Sequence, residues 1–166
     1  MKKQDIILIA GVVAILIIAV LVMNTMKTPK IDLPLVLTGE ETELTKIDYS
    51  TYKEKIKNGD NFIIVIERTG CSFCEMYMPV LEDVASEYLI PIYYIDTADL
   101  TGEEYSDLGE SNSYLKRNQW GTPTTLLMSG EIVVDSIGQY VEKDSFVEDF
   151  LNKNIVLKEK EENKEE

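Results

Sequence analysis

The chain reads as an α/β fold, a mixed sheet covered by helices on both faces. Three observations predict it. Phe62 to Ile66 (FIIVI) and Ile92 to Ile95 are continuous apolar runs of the kind that a strand buried on both faces needs. A helical pattern separates the two runs. Further on, Thr124 to Met128 and Glu131 to Asp135 flank Ser129-Gly130, a two-residue hairpin signal, and a helix closes the chain.

The elements follow in order. Leu44 to Ile47 is a short strand, and Tyr49 to Asn58 is a helix that ends at Gly59. From about Cys71 to Tyr88 a second helix carries Val80, Leu81, Val84, Ala85 and Tyr88 at spacings of three and four, one buried stripe. Pro79 lies inside it and is expected to kink it, because proline removes a backbone donor and crowds the preceding turn. Thr101 to Asn112 is polar and reads as a loop, and Ser113 to Gln119 as a short helix. Ser145-Phe-Val-Glu148 matches a capping box, which opens a last helix with Phe146, Phe150 and Leu151 inward. The domain so defined spans residues 44–157. Residues 28–43, with two prolines and a glycine, read as a linker or irregular lead-in, and 158–166 (KEKEENKEE) as a solvated charged tail.

Ile6 to Met23 is 18 residues without a charge, and the uncharged stretch continues to Met26. At ~1.5 Å per residue that is roughly 30 Å of helix, enough to cross a bilayer. A buried core helix would show a polar face, and this segment is apolar all round. A cleaved signal peptide would be shorter and end in small residues, whereas Met23-Asn24-Thr25-Met26 offers no Ala-x-Ala pattern. Residues 1–27 are therefore expected to be a single-pass anchor in the cell membrane, spanning at about 6–26. Lys2 and Lys3 before the span are matched by Lys27 and Lys30 after it, so the charge count does not orient it. The short positive amino end decides. It stays inside, and the domain is extracytoplasmic, where a disulfide persists.

The net charge is −14. Beyond residue 30, 12 Lys and Arg stand against 29 Asp and Glu, a net of −17 that repels phosphate backbones and excludes nucleic acid as a partner. The chain has no histidine, which excludes Ser-His and Cys-His catalysis and any His-ligated metal.

Its only two cysteines, Cys71 and Cys74, are spaced Cys-x-x-Cys. A zinc site wants four ligands, and one pair without histidine would need a second chain or carboxylates. As a staple, so short a loop contributes only ~2 kcal/mol, which a domain of this size scarcely needs. Two reduced, buried cysteines acting as small hydrophobes are a further alternative. The local sequence favours a redox couple. Cys71 follows the strand Phe62 to Ile66 after a short turn containing Gly70, so it sits near the amino end of the next helix. Unpaired N–H groups and the helix dipole favour its thiolate there. Cys74, one turn on, lies on the same face within bridging distance.

The strand, Cys71-Ser-Phe-Cys74, Pro79 inside the helix, and Gly121-Thr122-Pro123-Thr124 entering a strand together resemble the thioredoxin superfamily. Within it, Arg68-Thr69-Gly70-Cys71 through Tyr94-Ile95-Asp96 is similar to the thioredoxin-like bacteriocin transport accessory proteins of Gram-positive bacteria. The match covers about Leu44 to Asn154. The resemblance implies a thioredoxin-like fold in which Cys71 is the nucleophile and Cys74 resolves the mixed disulfide. It also implies that Pro123 is a cis-proline facing the sulfurs, and that Thr122 offers its backbone to an extended substrate segment. Trp120, just ahead of that turn, either shields the disulfide, lines the substrate groove or packs the core.

The departures from the pattern bear on the ionisation of the sulfurs. Thioredoxin keeps a buried Asp six residues before its first cysteine, where this chain has Val65. Glu67, two residues on and on the same strand face, is the candidate to take over that role, although a solvated acid at the strand end is the preferred reading. Arg68 either supplies a positive field or, the plainer reading, is a solvated loop charge. Between the cysteines stand Ser72 and Phe73, with no histidine to lower the pKa of Cys71.

The function expected is a membrane-anchored extracytoplasmic thiol–disulfide oxidoreductase. It needs no metal or organic cofactor, because the two sulfurs carry the electrons. Its partners are exported cysteine-containing peptides or proteins and a redox protein that recharges it. A disulfide-containing bacteriocin as substrate follows from the family resemblance alone. The alternative is a non-catalytic thioredoxin-fold accessory of bacteriocin or protein export, with idle cysteines.

Overall fold

The computed structural model describes residues 12–18 and 31–157. The chain divides into two units, Met1–Ile31 and Asp32–Glu166. In the first, residues 12–18 are helical and their apolar side chains, Ile15 to Ile18 among them, are exposed. The rest of the expected span, about 6–26, and the tail 158–166 lie outside the described residues. Among the described residues no helix is long and apolar enough to cross a membrane.

The second unit holds a five-stranded mixed sheet. Its strands are β1 (Leu44–Lys46), β2 (Asn61–Glu67), β3 (Ile92–Asp96), β4 (Thr124–Ser129) and β5 (Ile132–Ile137), in the spatial order β1-β3-β2-β4-β5. The first three are mutually parallel, β4 runs antiparallel to β2, and β5 antiparallel to β4. Central position explains the sequence of β2: every residue from Phe62 to Glu67 is buried. Alternation sends Phe62, Ile64 and Ile66 to one face. There they pack with Tyr49 and Tyr52 of α1 (Tyr49–Asn58), Leu108 of α3 (Gly102–Glu110) and Leu115 of α4 (Ser113–Arg117). Ile63, Val65 and Glu67 face the other way, toward α2 (Ser72–Tyr88) and the closing helix α5 (Lys143–Asn154). On that side Tyr77 meets Phe146 edge to face, with ring centroids 6.2 Å apart.

The direction of the strands places the site. Parallel β2 and β3 both end, at Glu67 and Asp96, on the edge of the sheet where antiparallel β4 begins, Thr124 pairing with Ile66. The turn after β2, the loop after β3 and the turn before β4 therefore converge at one end.

Several expectations are corrected. Thr101 to Asn112 is not a loop: α3 fills most of it, with a capping box in which Thr101 Oγ1 accepts from the Glu104 N–H at 3.2 Å and the Glu104 carboxylate accepts from the Thr101 N–H at 2.9 Å. One buried anchor, Leu108, suffices because the cap satisfies the first turn. Ser145, by contrast, caps nothing. α5 starts two residues earlier, at Lys143, and widens into a π turn over Phe146–Leu151. Packing explains the early start, since Lys143 reaches Asp83 and Glu87 of α2, both at 2.5 Å, while Phe146, Phe150 and Leu151 are buried as expected. The hairpin turn is Gly130-Glu131, one residue later than read, since Ser129 pairs with Ile132. Gly130 takes a φ of +55°, which a two-residue loop favours in glycine.

In α2 the stripe is buried at Leu81, Val84 and Ala85, while Val80 and Tyr88 are half-buried. Pro79 stands on the exposed side, and the helix runs on past it to Tyr88. The irregular lead-in lies against the domain. Leu35 is buried and bridges to Ile155, its N–H donating to the Asn154 carbonyl at 2.7 Å.

Candidate redox site

β2 gives way to Arg68-Thr69-Gly70, closed as a turn by the Cys71 N–H donating to the Arg68 carbonyl at 3.0 Å. Gly70 has a φ of +79°, a conformation that costs a residue with a side chain energy and glycine little. The turn delivers Cys71 to the N-cap of α2, in extended geometry, where its Sγ accepts from the Cys74 N–H at 3.3 Å. A sulfur thus fills the place usually taken by a Ser, Thr or Asp oxygen.

The two thiols are free, and they differ. Cys71 is partly exposed and Cys74 is buried. The Cys74 thiol donates to Cys71 Sγ, the two sulfurs 2.6 Å apart. Burial pushes the Cys71 thiol up, but hydrogen bonds from the Cys74 thiol and from the N–H groups of Cys74 and Phe73 outweigh it. The net is a thiol held below its ordinary range. Burial, together with the hydrogen bond it gives to Cys71, pushes Cys74 up to about 11. One sulfur is an outer thiolate in waiting, and the other an inner proton holder.

The Thr122–Pro123 peptide bond is cis, the geometry the resemblance implies. The Thr122 carbonyl faces the site, accepting from the Cys71 thiol at 3.4 Å. Trp120 stacks obliquely on Tyr105 of α3, with ring centroids 5.5 Å apart, and packs on the core cluster. Arg68 is exposed.

Glu67 corrects an expectation: the solvated acid is buried, only 8% exposed. Burial pushes its carboxyl up to about 7, and the charge of Asp96 adds to the rise against the opposing pull of Lys46. Asp96 is buried as well but is held below its ordinary range, because hydrogen bonds from Thr69 and Ala98 outweigh desolvation. The sequence reading did not single out Asp96 or Thr69 for a role. The available signal was an acid ending a buried strand beside β2, which burial makes too costly to leave unpartnered. Among the described residues, no group of three or more Cys, Asp or Glu could hold a metal ion.

No protein-family model matches the chain, and no curated protein does. Solved structures do. Thioredoxin NaTrxh from Nicotiana alata superposes with a TM-score of 0.51 at 20% identity, covering 70% of this chain and 97% of its own. The short form of thioredoxin F from spinach chloroplast gives 0.52 at 17% identity, covering 70% and 96%. A single-site mutant of the thioredoxin from Halobacterium salinarum gives 0.53 at 16%, covering 73% and 99%. Likeness at these identities is likeness of fold, and the fold of this chain is thioredoxin-like.

Proposed function

We propose that the chain is a membrane-anchored, extracytoplasmic thiol–disulfide oxidoreductase. One observation carries the reading: a partly exposed sulfur with a depressed pKa caps a helix beside a buried sulfur with a raised one. In the reducing direction the Cys71 thiolate attacks one sulfur of a substrate disulfide, and the other substrate sulfur leaves as a thiolate and takes up a proton. Cys74 then gives up its proton and attacks Cys71 Sγ. The second substrate thiol is released, and two electrons have passed from the Cys71–Cys74 pair to the substrate. Oxidation and isomerisation run the same bonds in other orders, and the potential of the surroundings sets the direction. A second redox protein restores the pair. The Thr122 backbone aligns an extended substrate segment as an added strand. Glu67 and Arg68 are the groups proposed to tune the sulfurs, and Trp120 the residue flanking the groove.

The anchor is supported by the uncharged stretch Ile6 to Met26, and by the exposed apolar side chains of helical residues 12–18. The substrates are exported cysteine-containing peptides or proteins, with a disulfide-containing bacteriocin as the choice that the family resemblance suggests.

Insulin reduction by the full chain in mild detergent, with Cys71→Ser as control, tests the chemistry. Equal turnover by both chains ends the catalytic reading, and a Cys71→Ser chain that still supports export in its host moves the function to binding. Trapping with Cys74→Ala, which stalls the mixed disulfide, names the substrate by mass spectrometry. Protease digestion of intact cells tests the topology: an extracytoplasmic domain is cut, and a protected one overturns it.

A further inference from the structure

We propose that Asp96 is a positioning residue for Cys71, clamping the turn that carries it through a bidentate hold on Thr69. Asp96 ends β3, directly beside Glu67 at the end of β2. Its Oδ2 accepts from the Thr69 hydroxyl at 2.5 Å. Its Oδ1 accepts from the Thr69 N–H at 3.1 Å and from the Ala98 N–H at 2.9 Å. Both polar groups with which Thr69 can donate are thus spent on one buried carboxylate.

A second bond set ties the same two strand ends. The Thr97 N–H and hydroxyl both donate to the Glu67 carbonyl, each at 2.9 Å. Four hydrogen bonds therefore join the end of β3 and the loop after it to the end of β2 and the turn after it. Charge-assisted bonds to a buried carboxylate are shorter and stronger than neutral ones, and a buried acid with fewer partners would be costly.

The turn needs such a hold. Arg68, Thr69 and Gly70 are all exposed. Gly70 adds backbone freedom at the residue before the sulfur. Cys71 must nonetheless satisfy two fixed points at once, the Cys74 N–H at 3.3 Å and the Thr122 carbonyl at 3.4 Å. Displacing the sulfur by about 1 Å forfeits most of a hydrogen bond, and with it the support of the thiolate. Asp96 acts on that sulfur through Thr69, by geometry. It also raises the neighbouring Glu67 carboxyl, an effect that Asp96→Ala and Asp96→Asn both remove and that the Thr69 variants leave in place. Its own negative charge opposes a nearby thiolate, so an electrostatic role would have the opposite sign.

The inference rests on Cys71 being the reactive thiol of the proposed function, and its test avoids turnover. The rate at which iodoacetamide labels Cys71 is measured against pH in the full chain in detergent, resolved by site with mass spectrometry, with circular dichroism reporting the fold. Asp96→Ala is expected to slow labelling at pH 7 about tenfold and to move the pH profile up by about one unit. Asp96→Asn retains a carbonyl for the two N–H groups and an amide for the Thr69 hydroxyl, so it stays within about threefold of the parent chain. Thr69→Val, which removes only the hydroxyl bond, slows labelling about threefold, and Thr69→Ser restores it. If Asp96→Ala does not fold, the Thr69 pair decides.

Labelling in the parent chain at the rate of free cysteine sinks the oxidoreductase reading and this inference with it. A fast parent thiol left unchanged by Asp96→Ala and Thr69→Val overturns the clamp alone. So does faster labelling in both Asp96→Ala and Asp96→Asn, which would assign the effect to charge.

Discussion

Glu67 and Asp96 stand opposite each other across the parallel β2–β3 ladder, two buried carboxyls 8% and 5% exposed. Their environments drive them apart. Asp96 has hydrogen-bond donors that favour its charge, whereas Glu67 has burial and the charge of Asp96 against it. At pH 7 the Glu67 carboxyl is therefore about half protonated, and whatever proton the pair holds is carried by Glu67.

That proton makes stability depend on pH. The Glu67 carboxyl titrates at 4.5 when unperturbed and at about 7 here, so the folded chain binds the proton more tightly than the unfolded chain. Its contribution is complete below pH 4.5 and is lost as pH rises through 7. Glu67→Gln, which mimics the protonated form, should gain about 1–2 kcal/mol over the parent chain on going from pH 5 to pH 8. Urea melts of both chains at the two pH values check it. A difference that does not change with pH refutes it.

Cys71 and Cys74 should ionise in separate steps. Thiolate absorbance at about 240 nm, taken as the difference from a Cys71→Ser, Cys74→Ser chain so that the nine tyrosines cancel, should rise once below the ordinary cysteine range and again near 11. A single transition at the free-cysteine value would remove the basis of the division of labour between the two sulfurs.

Tyr77 and Thr125 share a hydroxyl–hydroxyl bond of 3.2 Å inside the α2 side of the core. Thr125 is the cross-strand partner of Val65, so this neutral pair lies beside the position where thioredoxin keeps an acid. Tyr77→Phe leaves the Thr125 hydroxyl buried without its partner and should cost about 1–3 kcal/mol. Adding Thr125→Val should recover most of that loss, since the orphaned group is then gone. A double-mutant cycle with no coupling would contradict it.

Gly130 seats the β4–β5 hairpin against the end of α1. Its N–H donates to the Asp60 carbonyl at 2.9 Å, and a Cβ placed there would lie 3.3 Å from the Gly59 Cα. With φ at +55° as well, Gly130→Ala should lower stability by roughly 1–2 kcal/mol. Cys71 labelling should be unchanged. A neutral substitution would show that the hairpin has room to shift.

The sequence by itself determined the sheet and the cysteine helix, because each rests on local chemistry. Phe62 to Ile66 had to be central, since five apolar residues in a row have no solvent face. Cys71 had to stand near a helix start, because a strand and a glycine turn precede it. Where local signals competed, the sequence was ambiguous. The capping signature occurs at both Thr101 and Ser145, and packing of Lys143 and Phe146 against α2 left only the first in use. Tertiary structure alone decided the rest. Asp96 and Thr69 lie 27 residues apart, and Cys71 and Thr122 lie 51 apart. No periodicity links them; the register of β2 with β3 and β4 does. Burial of Glu67 is likewise a property of its neighbours, since an acid at a strand end is solvated or enclosed according to what packs over it.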